Sequence, residues 1–258
     1  MTHGVGPALF ANAIRTHPSA AVFMAEGIVP ILSRITTESV GGPIGIQLPV
    51  SCDGAFSFVK TTDLSGKVRF RADMWVDVRA RHGRTYGKAP SETEPLHPIG
   101  RLVAEHVLTR PFGPPERRSV VELPAGLSAG EERAWLPPES LLELPANATW
   151  IEPAASPDPN ITLFGLGHTD SNQHVNSLVY PLLLEEAALR RAAALGESPH
   201  RFCPFFDLAF RKPYFSGDSA RAVLRAYRRG DAFGVVATIG DPRDETAART
   251  FGRLELVT

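Results

Sequence analysis

The chain has 258 residues, 43% of them hydrophobic, enough for one large domain or two small ones with a substantial core. Lysine and arginine number 27 against 28 aspartates and glutamates, a formal charge of −1, so the balance gives no electrostatic reason to expect nucleic acid as a partner. Two cysteines, Cys52 and Cys203, and no CxxC argue against a disulfide framework or a cysteine-based zinc site.

The N-terminal stretch MTHGVGPALFANAIRTHPSA has no basic segment followed by an unbroken apolar run, and AAVFMAEGIVPIL carries Glu26 and is too short to span a bilayer. A cytoplasmic protein without membrane insertion is expected. A helix is expected somewhere within residues 8–36, interrupted by Pro18 and Pro30. KVRFRADMWVDVRA then alternates strictly. Val68, Phe70, Ala72, Met74, Val76 and Val78 make one strand face, and Arg69, Arg71, Asp73, Trp75, Asp77 and Arg79 the other, which should be wet.

Residues 90–98 and 111–116 read as proline-rich loops. GLSAG at 126–130 satisfies G-x-S-x-G, but no βαβ series surrounds it. Ser128 with Glu131 reads better as a capping box for a short helix, EERAW. The proline-laden stretch 137–160 is the best internal boundary, dividing the chain into residues 1–143 and 144–258.

In the second half, LVYPLLLEEAALRRAAAL at 178–195 is rich in helix formers, with Asn176 or Ser177 as N-cap and Gly196 just past its end. Its first two turns carry no polar stripe, so burial on every side is expected. After it, Ala220, Ala222, Leu224 and Ala226 alternate with Arg221, Val223, Arg225 and Tyr227, and FGVVATIG and FGRLELVT continue an antiparallel meander. A long buried helix followed by such a meander suggests a sheet wrapped around a helix.

Immediately before that helix stands HTDSNQHVNS, residues 168–177. Capping explains one or two of its polar residues, not four in alternation. His168, Asp170 and His174 offer metal-ligand chemistry, but their spacing fits no metal signature. An extended segment would project Asp170, Asn172 and His174 from one face, lining a pocket wall. The helix N-terminus beside them would add free N–H groups and partial positive charge for an oxyanion, and an imidazole or carboxylate could activate water.

The pattern D-x-N-x-H-V-N-x-x-x-Y with a glutamate on the same helix resembles the hot-dog-fold thioesterases, most nearly the acyl-ACP thioesterases of plants and bacteria. Asp170, Asn172, Gln173, His174, Val175, Asn176 and Tyr180 occupy the motif positions, and Glu186 the helix glutamate. The adjacent Glu185 matches the glutamate of smaller 4-hydroxybenzoyl-CoA-thioesterase-like proteins. The resemblance implies an α+β double hot-dog, two antiparallel sheets each wrapped around a long central helix. Residues 1–143 would shape the acyl-chain pocket and 144–258 would carry the catalytic motif.

It further implies hydrolysis of an acyl thioester, acyl-ACP or acyl-CoA, by activated water. Asp170, Asn172, His174 and Glu186 would be catalytic, and Asn176, Ser177, Tyr180 and Glu185 would meet substrate. No metal or other cofactor is implied, the partner is an acyl carrier protein or CoA thioester, and a homodimer is compatible with the reading.

Ser177 replaces the family's second asparagine and Leu183 its helix tryptophan. The family's once-proposed cysteine would fall near Pro213 or Tyr214, well beyond Cys203, which favours water attack over a cysteine acyl-enzyme. Two alternatives share the pattern. D-x-x-x-H also occurs in double hot-dog dehydratases and, one residue longer, in hydratases acting on 3-hydroxyacyl or enoyl thioesters, but no first-half histidine has the partner context. A non-catalytic acyl-thioester binder could keep the fold, though it would not need the polar set. The arginines and lysine at 201, 211, 212, 221, 225, 228 and 229 read as a solvated strand face or, in part, as a docking surface for an acidic carrier or CoA phosphates.

Overall fold

The computed structural model describes residues 16–258 except 41–43, 45–49, 85, 89 and 92, and except the side chains of Glu245 and Thr246. The chain divides into two compact units, Met1–Leu136 and Pro137–Thr258. The division falls before Pro137 rather than after Glu143, because the short 3₁₀ turn Pro138–Leu142 buries Leu141 in a cluster with Ala209 and Phe251.

Among the described residues, the first unit contains α1 (Ser19–Ala25) and five strands: β1 (Val29–Ser39), β2 (Ser51–Thr62), β3 (Val68–Ala80), β4 (His97–Thr109) and β5 (Glu131–Ala134). They run in the order β5-β2-β3-β4-β1, antiparallel except for the parallel β2–β5 pair. Asp63 closes the β2–β3 turn, its Oδ1 accepting the N–H groups of Ser65 and Lys67 while Gly66 takes φ +81°. The apolar face read from the alternation is buried at Phe70, Ala72, Met74, Val76 and Val78. Phe23 of α1 and the following Ile28 pack with Phe58, Phe70, Ala72 and Leu108.

Three expectations change here. The long helix of the first half is, among the described residues, only the seven-residue α1, and chain after Ile28 becomes strand, where β-branched residues fit the pleat. Residues 8–15 of the expected range lie outside the described residues. The charged face of β3 is not wet at its centre: Arg71 is 7% and Asp73 4% exposed. Arg71 joins Asp73 at 2.6 Å and also Glu105, so the charges are paired where they are desolvated. Finally, Glu131–Ala134 is a strand and not a capped helix; Ser128 stands exposed in the loop before it.

The second unit contains α2 (Val179–Ala194) and strands β6 (Thr149–Trp150), β7 (Ser156–Pro157), β8 (Thr162–Leu163), β9 (Phe202–Phe210), β10 (Ser219–Arg229), β11 (Ala232–Asp241) and β12 (Asp244–Val257). The sheet runs β9-β12-β11-β10, and the three two-residue strands β6, β7 and β8 each pair with β10. Helix α2 packs on β9 to β12. It buries Tyr180, Leu183, Leu184, Ala187, Ala188 and Ala192, with each large side chain contributing about 1.5–3 kcal/mol. Leu182 stays 57% exposed, so the helix is open on one side rather than enclosed.

Gly196 at φ +79° ends the helix in a Schellman turn, with Gly196 N–H on the Ala193 carbonyl and Glu197 N–H on that of Ala192. Arg190 grips Asp158 through two hydrogen bonds and Arg191 grips Glu152 and Ser156, clamping the β6–β7 strap to the helix.

Candidate functional site

The segment before α2 is a closed turn and not an extended wall. Asp170 N–H donates to the His174 carbonyl at 2.8 Å, and Gln173 N–H to the Asp170 carbonyl at 3.0 Å. Gln173 sits at φ +62°. Asp170 Oδ1 accepts the N–H groups of Asn172 at 2.8 Å and His174 at 3.2 Å. The alternation of polar residues therefore follows an aspartate folding the backbone around itself. The result still presents Asp170, Asn172 and His174 together, all exposed, from one seven-residue loop bridged at Thr169 and Val175.

Two other segments hold this loop. Val175 N–H donates to the Tyr214 carbonyl, Asn176 N–H to that of His168, and His174 bridges Phe215. The His174 ring meets the Phe215 ring edge-on at 5.0 Å. Phe215 is a site residue the sequence did not reveal, since it lies on the connection after β9 and only the antiparallel pairing brings it to His174.

The N-terminal end of α2 is less open to a ligand than expected. Asn176 Oδ1 takes the Leu178 N–H, the Asn176 carbonyl takes the Val179 N–H, and Pro181 has none. Asn176 thus makes an Asx turn just ahead of the helix, whose N-cap is Leu178 rather than Asn176 or Ser177 and has no side-chain cap. Tyr180 is buried, with its Oη accepting the Tyr214 N–H at 3.3 Å and its ring against Phe210. Burial pushes its hydroxyl above the ordinary range. Asn176 Oδ1 and Tyr180 Oη each accept a backbone N–H of the fold, while Ser177 is half-buried beside them.

The two helix glutamates differ. Glu186 is exposed and faces Arg190 at 3.8 Å. Glu185 is half-buried, and burial first, then the neighbouring Glu186 charge, raise its carboxyl above the ordinary range. Among the described residues, no hydrogen bond or ion pair joins either glutamate to Asp170, Asn172 or His174. Cys203 donates to the Phe205 carbonyl, and burial together with Glu185 pushes its thiol up to about 12, far from a nucleophilic thiolate.

Among the described residues, no cluster of three or more metal-ligating side chains occurs, and no helix is long and apolar enough to cross a membrane. The arginine face is largely neutralised. Arg201 and Arg228 meet Glu197, Arg211 meets Glu139, and Arg229 meets Glu255. Arg225 lies 3.9 Å over the Trp150 ring and donates to the Glu152 carbonyl. In the first unit, His17, Cys52, Asp53, Phe56, Met74 and Val76 line part of a cavity of about 640 Å³.

No family model matches the chain, and no curated protein matches its sequence. Solved structures share the fold. A structure described as an oleoyl thioesterase of Lactobacillus plantarum superposes with a TM-score of 0.57 at 12% identity, over 96% of this chain and 82% of that one. An acyl-ACP thioesterase of Bacteroides thetaiotaomicron gives 0.50 at 14% identity, over 98% and 88%.

Proposed function

We propose that this chain is a double hot-dog acyl-thioester hydrolase, acting on an acyl-ACP or acyl-CoA, with its reacting centre at the Asp170–His174 turn. The observation that carries the reading is the Asp170 carboxylate, which gathers the backbone N–H groups of Asn172 and His174 and so holds an amide-bearing and an imidazole-bearing residue in one exposed turn. The fold shared with the two thioesterase structures supports it. The first unit holds a partly apolar cavity of its own.

In this reading His174 takes a proton from water as the oxygen adds to the thioester carbonyl, and returns it to the departing sulfur. Asn172 orients the water or polarises the carbonyl, and Phe215 limits the ring orientations open to His174. Asp170 is a positioning residue through its backbone contacts. Of the two helix carboxylates, Glu185 has the environment of a proton acceptor, and Glu186 that of a solvated helix charge.

The test is a hydrolysis panel of acyl-CoA and acyl-carrier thioesters of increasing chain length, followed by free thiol release. Thiol release that disappears in both Asp170→Ala and His174→Ala supports the assignment. Hydration of enoyl thioesters without thiol release would replace it with the hydratase reading.

A further inference from the structure

In the first unit, the end of β3 and the connection towards β4 carry charge of one sign. Residues 79–88, RARHGRTYGK, hold four arginines and lysines and no carboxylate, in a chain whose formal charge is −1. Arginines elsewhere in the fold are matched. Arg101 lies 3.3 Å from Asp77, and Arg110, Arg190 and Arg249 meet Glu26, Asp158 and Asp218. Arg79, Arg84 and Lys88 are exposed and make no ion pair among the described residues. Beside them Tyr86 is fully exposed, and Leu96 is partly so.

The base of this connection is held in place. Ala80 pairs with His97, the His82 and His97 rings meet edge-on at 5.0 Å, and Arg81 Nε donates to the Glu94 carbonyl at 2.8 Å. Beyond that base, the Gly87 N–H donates to the Arg84 carbonyl at 3.0 Å and closes a turn. The turn thus carries cations and an aromatic ring away from the sheet, where neither contributes to the core.

We propose that this turn docks on the anionic face of a lipid bilayer, with Arg79, Arg84 and Lys88 over the headgroup phosphates and the Tyr86 ring at headgroup level. The make-up of the patch favours a lipid surface over a protein. A protein interface gathers apolar and aromatic side chains at its centre, excludes charge from it and buries about 1,000 Å² or more. Here one ring stands among cations whose side chains no hydrogen bond fixes among the described residues. A bilayer requires neither a pocket nor a fixed constellation. Each lysine or arginine near an anionic leaflet contributes separately, and tyrosine settles with its ring at the apolar boundary and its hydroxyl in water. The contact is peripheral and independent of the reaction performed by the second unit.

The test is sedimentation of the full chain with vesicles of phosphatidylcholine alone and of phosphatidylcholine mixed with an equal part of phosphatidylglycerol. Wild type sediments with the anionic vesicles and not with the neutral ones. It is released as salt rises from about 0.1 M to about 1 M, where the screening length falls from about 10 Å to about 3 Å. Arg84→Gln/Lys88→Gln weakens partitioning about thirtyfold, about fivefold for each cation removed. Tyr86→Ser weakens it without changing the salt dependence. Equal urea midpoints for the variants and wild type separate lost binding from lost folding.

Wild type that stays in solution with anionic vesicles at the lower salt overturns the proposal. So does equal sedimentation with both vesicle types, or undiminished binding by Arg84→Gln/Lys88→Gln. Soluble polyglutamate stands for the other class of partner. Binding to it that Arg84→Gln/Lys88→Gln abolishes, with anionic vesicles left unbound, overturns the lipid assignment in favour of an acidic protein.

Discussion

Asp170 and His174 are joined twice through the backbone: the Asp170 N–H donates to the His174 carbonyl at 2.8 Å, and the His174 N–H donates to Asp170 Oδ1 at 3.2 Å. The aspartate therefore fixes where the imidazole stands as well as adding charge beside it. The two roles separate by mutation. Asp170→Asn keeps an acceptor oxygen and should keep most of the turn, whereas Asp170→Ala loses both roles. If these groups act in the transition state, Asp170→Ala and His174→Ala each lower kcat about 10²-fold or more, with Asp170→Asn between them and wild type. Steady-state thiol release on the best thioester of the panel is the measurement, and equal turnover in all four proteins refutes the site.

The strands were legible in the sequence because period-2 alternation is read directly from side chains, as in β3 and β10. Helix α2 and its glycine terminator were legible for the same reason. The turn was not. Alternation over 170–176 looks the same whether the backbone is extended or curled around an aspartate, and φ +62° at Gln173 has no side-chain signature. Nor does local pattern reveal pairing across distance. Phe215 reaches His174, and Arg71 reaches Glu105, only through register. The burial of Arg71 and Asp73 overrode a pattern that reads as wet, since mutual pairing lets the charges leave water.

Glu185 and Glu186 give opposite expectations. The Glu185 carboxyl is held above its ordinary range by burial and then by the Glu186 charge, so with this residue as the base the acid limb of kcat/KM would lie higher than a free glutamate sets it. Glu185→Gln should remove that limb and lower turnover, whereas Glu186→Gln, losing one exposed pair with Arg190, should change little. A pH–rate profile of each variant decides. A response confined to Glu186→Gln would return the role to that residue.

Cys203 offers a direct check on covalent chemistry. With its thiol pushed up to about 12 by burial and the Glu185 charge, it is protonated at neutral pH. Cys203→Ala should retain turnover within a few-fold, and iodoacetamide should alkylate native Cys203 far more slowly than the unfolded chain. Rapid alkylation accompanied by loss of activity would reinstate an acyl-enzyme.

Arg71 bridges Asp73 and Glu105 where little water reaches, and Asp73 already has its carboxyl raised by burial despite that partner. Removing the cation takes from the buried Asp73 carboxylate its nearest partner and leaves Arg133 at 3.9 Å. Arg71→Ala should cost about 3–5 kcal/mol, and Arg71→Met with Asp73→Leu and Glu105→Leu should recover most of it. Urea unfolding of the three proteins measures both numbers.

His106 sets the acid side of stability. It faces the core with Leu102, Ala104 and Leu108, and burial depresses its ring from 6.5 to about 4. Because the folded value is the lower one, the unfolded chain binds more protons between these limits. Stability therefore falls as pH drops from about 6.5 towards 4, by about 3 kcal/mol at the bottom of that window, and is unaffected by this group above it. His106→Leu removes the titrating group, so the slope of Tm against pH over that window should flatten relative to wild type. A slope of unchanged steepness would refute the assignment of the acid sensitivity to His106.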